Sequence, residues 1–526
     1  MNLQRSAGRV LAAMAAAMAL VPALTTPSGA QTPPTCSRTV PCRLSAGLPE
    51  ARVLNVVVSP DGERAVFLHT SDSGVQELYS VPVQGGAAPT RLDVPAADRL
   101  GRFVISPDSS RVLYLAPLGP DGTDALFSVP IAGPASANVR LANTLRNDFQ
   151  VSPDSRKVVL ATPTGDRLRA VPIAGPANAG VRLTDPFAAP GVRFGVSANS
   201  GSVVYTAQQD AVGVSELYRV PLTLSPPPDP VTTKLNGPLA VDGDVTSFQL
   251  AAEDGPVVYR ADQDANDVFE LYSVRLGGAG RVKLSRPLAP GWDVFDHGVL
   301  GGLPFGYQVL PDGSRVVYEI QNSIGTAREL YSVPTAGPAS GSVRLDAPPS
   351  GFIEFGYQVT GDSERVVYVV GSTSGAVQRQ AYSVPVAGPA GGSDLVTFPS
   401  PTGHQFTLSP DGDHVVWELD ENGTLFRTDI AGPLFGSVRI NGAEDPGLTF
   451  VDPASERVVY LAPQPGFQSD LFSVPIEGDG TRYNLTRTLD AQFIPTGFGL
   501  TAEHVVYPAS PDFEGFHLYS SRLVPT

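Results

Sequence analysis

Asp262-Gln-Asp264-Ala-Asn266-Asp267 places oxygen-bearing side chains at alternate positions. That spacing is how a loop gathers ligands around a hard cation, and calcium is the ion it would suit. The bidentate Glu of an EF-hand is missing at its proper spacing, although Glu270 follows closely. Farther on, the stretch 285–304 carries Trp292, Asp293, Asp296 and His297. A ring beside two carboxylates and an imidazole could stack on a ligand and move protons. The plainer alternative is that both stretches are solvated, turn-rich loops. No catalytic residue is assigned. Gly371-Ser-Thr-Ser-Gly375 sets Thr373 where a nucleophile elbow needs Ser, and there is no His-Glu-x-x-His, phosphate-cradling loop or dinucleotide fingerprint. The six His are scattered; register puts His414 and His504 in second strands and His517 in a third, as structural residues.

The elements that must carry these loops repeat. A Val-Val-Tyr-type strand ends at Phe67, Tyr114, Leu160, Tyr205, Tyr259, Tyr318, Tyr368, Trp417, Tyr460 and Tyr507, at steps of 43 to 59 residues. A period of this size built from short strands marks a propeller-type array. Each copy reads as a four-stranded antiparallel meander. In the sixth, Tyr307–Leu310 precedes a Pro311-Asp312-Gly313 turn, and Arg315–Ile320, Leu330–Val333 and Val343–Leu345 follow. Pro presets φ, Asp bonds its own backbone and Gly accepts a positive φ. The same turn recurs as Ser59-Pro-Asp-Gly62, Ser106-Pro-Asp-Ser109, Ser152-Pro-Asp-Ser155 and Ser409-Pro-Asp-Gly412, so its Asp residues belong to the scaffold. An aromatic stands eleven residues before the Val-Val-Tyr ring in seven copies: Phe103, Phe149, Phe194, Phe248, Tyr307, Tyr357 and Phe406. These are expected between neighbouring blades.

The outer-strand element also occurs ten times, but the first, Thr39–Ser45, precedes any other strand, and the last copy lacks one. The expected fold is therefore all-β: ten blades in one closed ring, the N-terminal strand completing the last blade and removing two open edges. The Ser225-Pro-Pro-Pro-Asp-Pro230 run falls inside the fourth copy and is no linker. Two smaller rings are the alternative.

Arg5 and Arg9 before the apolar stretch Val10–Leu24, then Ser28-Gly-Ala30, read as a signal peptide over 1–30. Fifteen apolar residues containing Pro22 are short for a span, which needs about 20. A linker over 31–38 and the propeller over 39–526 follow. The expected location is periplasmic or secreted, with no transmembrane segment after signal removal. Cys36 and Cys42 are the only cysteines and are expected to pair in that compartment. Net charge is −16 without a Lys/Arg-rich run, which excludes nucleic acid as an expected partner.

The Ser-Pro-Asp-Gly turn, Val-Val-Tyr strand and Leu-Tyr-Ser-Val strand resemble TolB-like, WD40-type β-propeller repeats over about residues 39–526. The resemblance implies the propeller fold, export and a tendency to bind other proteins. Some relatives precede an α/β-hydrolase domain; here the repeats run to residue 526, so none is expected after them. The expected function is a non-enzymatic module binding a protein, peptide or glycan, or serving as a scaffold, without a cofactor other than calcium. The alternative is a propeller hydrolase or lyase with an acidic/His site on the loop face.

Overall fold

The structure is a computed structural model. It describes residues 41–524 apart from 50–51, 95–98, 118–123, 145–147, 226–230, 253–254, 297, 301–302, 324, 326, 347–351, 372–378, 401–405, 420–422, 433, 443–445, 465–467, 479–480, 488, 490–497 and 511–514. The signal-peptide and linker expectations, and Cys36, lie outside the described residues.

Ten four-stranded antiparallel blades form one ring. The third blade shows the unit: Phe149–Val151, Lys157–Ala161, Leu168–Pro172 and Val181–Arg182 lie in sheet order. The two middle strands are buried on both faces, which is why they read as continuous Val, Leu and Ala rather than as an alternation. Paired rings stack across them, as in Tyr318 with Tyr331 at 5.6 Å. The ring closes as expected. Cys42–Arg43 pairs with the third strand of the last blade, Cys42 opposite Ser520 and Arg43 opposite Tyr519. Leu44 N–H donates to Leu518 O at 2.7 Å, and Arg43 Nη2 meets His517 Nδ1 at 2.9 Å. Cys42 is buried within this clasp.

The recurrent turn does more than reverse the chain. Asp61 Oδ1 accepts the Ser59 hydroxyl at 2.5 Å and the Glu63 N–H at 3.0 Å, so the carboxylate is consumed locally. The Asp61 backbone N–H crosses to the next blade and donates to Ser109 Oγ at 3.0 Å. The same staple joins Asp108 to Ser155, Asp154 to Ser200, Asp312 to Ser363 and Asp411 to Ser455. All five serines hold a positive φ, between 57° and 65°. Glycine would adopt that backbone more cheaply, but it has no hydroxyl to offer the preceding blade.

The sixth blade departs from the pattern. Its inner edge is made twice: Trp292–Val294 and then Tyr307–Val309 both pair with Arg315–Asn322. Between them the chain leaves the blade and forms a small hairpin of Gly298–Leu300 with Leu303–Phe305. The stretch 285–304, for which a turn-rich loop was the plainer expectation, therefore contributes a strand to the sixth blade. Among the described residues no helix is long and apolar enough to cross a membrane.

Candidate functional site at the fifth to seventh blades

The fifth-blade loop and the sixth-blade insertion meet, as their position in the repeat requires. Asp293 Oδ1 accepts the Phe269 N–H at 2.9 Å, and Val294 N–H donates to Phe269 O at 2.9 Å. Their carboxylates converge on one cation. Arg260 is 9% exposed; its Nε donates to Val294 O at 2.7 Å and its Nη1 to Thr246 Oγ1 at 2.9 Å. Its guanidinium lies 4.0 Å from the Phe269 ring centre. Burial draws its pKa down, while Asp296, Asp293 and Asp262 favour its charge. Asp296 Oδ1 accepts the Ser247 hydroxyl at 2.6 Å, and Ser247 accepts the buried Tyr307 hydroxyl at 3.0 Å. Trp292 is half-buried, paired with Asn322 and packed on the sixth-blade core. His297 lies outside the described residues.

The residues of the acidic loop do not fit a calcium cage. Asp262 is buried and turned inward, accepting the Asp244 N–H at 2.6 Å on one oxygen and the Asp267 N–H at 3.1 Å on the other. Asp264 pairs with Lys283 at 3.1 Å. Asn266 donates to Asp267 at 3.3 Å, and Asp267 holds a φ of 58° at the turn. Among the described residues no three His, Cys, Asp or Glu are grouped to hold a metal ion.

One acid in this region escapes the repeat-wise reading. Glu319 directly follows the sixth Val-Val-Tyr ring, in the second strand. Leu68, Leu115, Ala161 and Val369 occupy that position in other blades, so a carboxyl there is a visible departure. Both ends of the insertion are tied to it. Phe295 N–H donates to Glu319 O at 2.9 Å, and Glu319 N–H donates to Gly306 O at 2.8 Å. Gly306 N–H then donates to the side-chain Oε2 at 3.1 Å. Oε1 is buried without a hydrogen-bond partner. Burial pushes the carboxyl up to about 7; the Gly306 and Gly356 N–H groups and the Arg328 charge offset only part of that cost. The adjacent Tyr357 hydroxyl donates to Val317 O at 3.1 Å and is itself held far from ionisation by burial and by Glu319. Glu319 thus anchors the insertion and, fully buried, keeps its proton up to about neutral pH.

No family model and no curated protein matches the chain. Several solved structures are similar to it at low identity. A eukaryotic initiation factor is 11% identical with a TM-score of 0.49, over 83% of this chain and 96% of that one. Dipeptidyl peptidase 4 of Porphyromonas gingivalis is 12% identical with a TM-score of 0.44, over 78% of this chain; the match spans 65% of the peptidase's length. A TolB-like protein of Agrobacterium tumefaciens is 16% identical with a TM-score of 0.28, over 44% of this chain and 80% of that one. The repeat resemblance therefore holds at the level of the propeller and identifies no particular repeat family. The expected non-enzymatic binding or scaffold role is corrected by the same finding. It rested on the conversion of the whole chain to repeats, and a fold does not decide function, so repeats give no ground against catalysis.

Proposed function

We propose that the chain is a propeller hydrolase or lyase whose proton transfers are made by Glu319, where the insertion joins the sixth blade. The observation that supports this is a buried carboxyl with one oxygen bonded to Gly306 and the other without a partner, beside the Tyr357 hydroxyl. A group that is part protonated near neutral pH can donate to a leaving group and accept from a nucleophile or an activated C–H. Arg260 and its three acids act around it as positioning residues that hold Trp292–Val294 against the fifth blade. The reading is tested with the purified protein on two panels. One holds chromogenic peptides, esters and glycosides; the other holds uronate polymers whose cleavage by elimination is read by ultraviolet absorbance. The expected result is turnover that Glu319→Gln abolishes while the circular dichroism stays that of the wild type. Silence across both panels, or turnover unchanged in Glu319→Gln, refutes it.

A further inference from the structure

Two departures from the repeat lie at the same level of the outer rim, one a peg and the other a socket. In the second, third, sixth and seventh blades, the short turn between third and fourth strands carries Ser136, Asn178, Ser340 and Gly391 at its middle. The eighth blade puts Phe435 there, and it is 97% exposed. The socket comes from the same connection in the fourth blade. On either side of that blade, a glycine of this connection packs on the outer strand of the preceding blade, Gly175 on Val139 and Gly278 on Thr233, so closely that a Cβ would crowd it. The fourth blade's connection Thr223–Val231 contains no glycine. A cavity of about 140 Å³ stands there against Arg182 and Leu183 at the outer edge of the third blade, walled by Val220, Pro221, Thr223 and Val231 among others.

We propose that Phe435 of one copy seats in this cavity of a second copy. An apolar cavity of about 150 Å³ accepts benzene, so the volume suits a phenyl side chain. Leu183, Val220, Pro221 and Val231 give it an apolar wall. Seating the ring takes from water the most exposed large apolar side chain among the described residues. Peg and socket stand four to five blades apart in a ring of ten, on nearly opposite sides. Two copies therefore cannot exchange pegs across one two-fold interface; the contact is head-to-tail and adds copies in an open row. One ring in one socket is a small contact, which places it in the weak and transient class. This surface is separate from Glu319 and does not depend on the activity proposed there.

The test is the weight-average mass of the purified protein by small-angle X-ray scattering, followed up to about 1 mM, in about 0.3 M NaCl to screen the net charge of −16. The expected result is a mass that climbs continuously and about doubles at the highest concentration. Phe435→Ser, which installs the residue of the second and sixth blades, should hold it at the monomer. Val231→Glu, which puts a charge on a wall residue that is 67% exposed, should do the same. Both positions are exposed, so circular dichroism should match the wild type in each variant. Mixed in equal amounts, the two variants retain one intact peg and one intact socket between them and should associate but stop at the dimer. A wild type that stays monomeric at about 1 mM, a single variant that associates like the wild type, or a mixture that stays monomeric or grows past the dimer overturns the assignment.

Discussion

Replacing Glu319 with Gln should change how stability depends on pH. The carboxyl has an ordinary value of 4.5 and is raised to about 7 by burial. At acid pH the folded and unfolded chains both carry the proton, and burial of the neutral acid costs no charge. Between 4.5 and about 7 the unfolded chain releases its proton while the folded chain keeps it. Stability therefore falls as pH rises through that window, and the loss is complete above it. A shift of this size corresponds to about 3 kcal/mol. Glutamine keeps the shape and a carbonyl for the Gly306 N–H, and it never ionises. Urea unfolding of both proteins, followed by circular dichroism from about pH 5 to about pH 8, isolates this group because every other titration cancels in the difference. The variant should gain on the wild type across the window by most of about 3 kcal/mol. A difference that stays constant within about 0.5 kcal/mol, the usual scatter of additivity, would show that Glu319 ionises normally and would refute the argument from burial.

Three further outcomes are expected. Arg260→Met removes the cation shared by Asp296, Asp293 and Asp262 and should cost about 3 kcal/mol, at the low end for a buried pair because Asp293 and Asp296 are only half-buried; equal stability in urea would count against the cluster. Ser155→Ala should cost about 1 kcal/mol for the lost staple to Asp108, whereas Ser155→Gly should cost little because relief at a φ of 57° offsets the same loss; glycine proving worse than alanine would contradict the geometry. Cys42→Ser should destabilise by roughly 2 kcal/mol if Cys36 and Cys42 close the proposed small loop beside the clasp, and a reductant should do the same to the wild type but not to the variant.

The architecture is legible in sequence because its causes are local. Ser59-Pro-Asp-Gly62 builds its own turn from its own side chains, and the ten Val-Val-Tyr-type strands state a period. Closure could be read from an outer strand with no blade before it, and Cys42–Arg43 pairs where that count required. Trp292–Val294 could not be read, because a three-residue strand containing Asp has no periodic signature and its partner is set by an insertion folding back. Arg260, like Glu319, follows its blade's Val-Val-Tyr ring at a position that is apolar in most copies, but that it takes up the charge of Asp293, Asp296 and Asp262 is found only in space. Glu319 departs from an otherwise mostly apolar position, a signal that comparing the ten copies carries, yet its burial beside Tyr357 depends on the neighbouring blade and not on its own.

Five joints of the ring carry a serine staple, and the joints into the first, sixth and eighth blades lack one. Where a blade's turn ends in Ser109, Ser155, Ser200, Ser363 or Ser455, its neighbour is latched by a hydroxyl. Where the turn ends in Gly62, Gly313 or Gly412, no hydroxyl exists and the latch cannot form. Those three positions open the first, sixth and eighth blades. A closed ring under strain parts first at its least fastened joints, so the molecule should come apart as arcs rather than as single blades. Two of those joints border the insertion-bearing sixth blade and the eighth blade, while the third lies between the last blade, which the clasp completes, and the first. Blade number alone would not show this division; it is set by the choice between serine and glycine at one turn position.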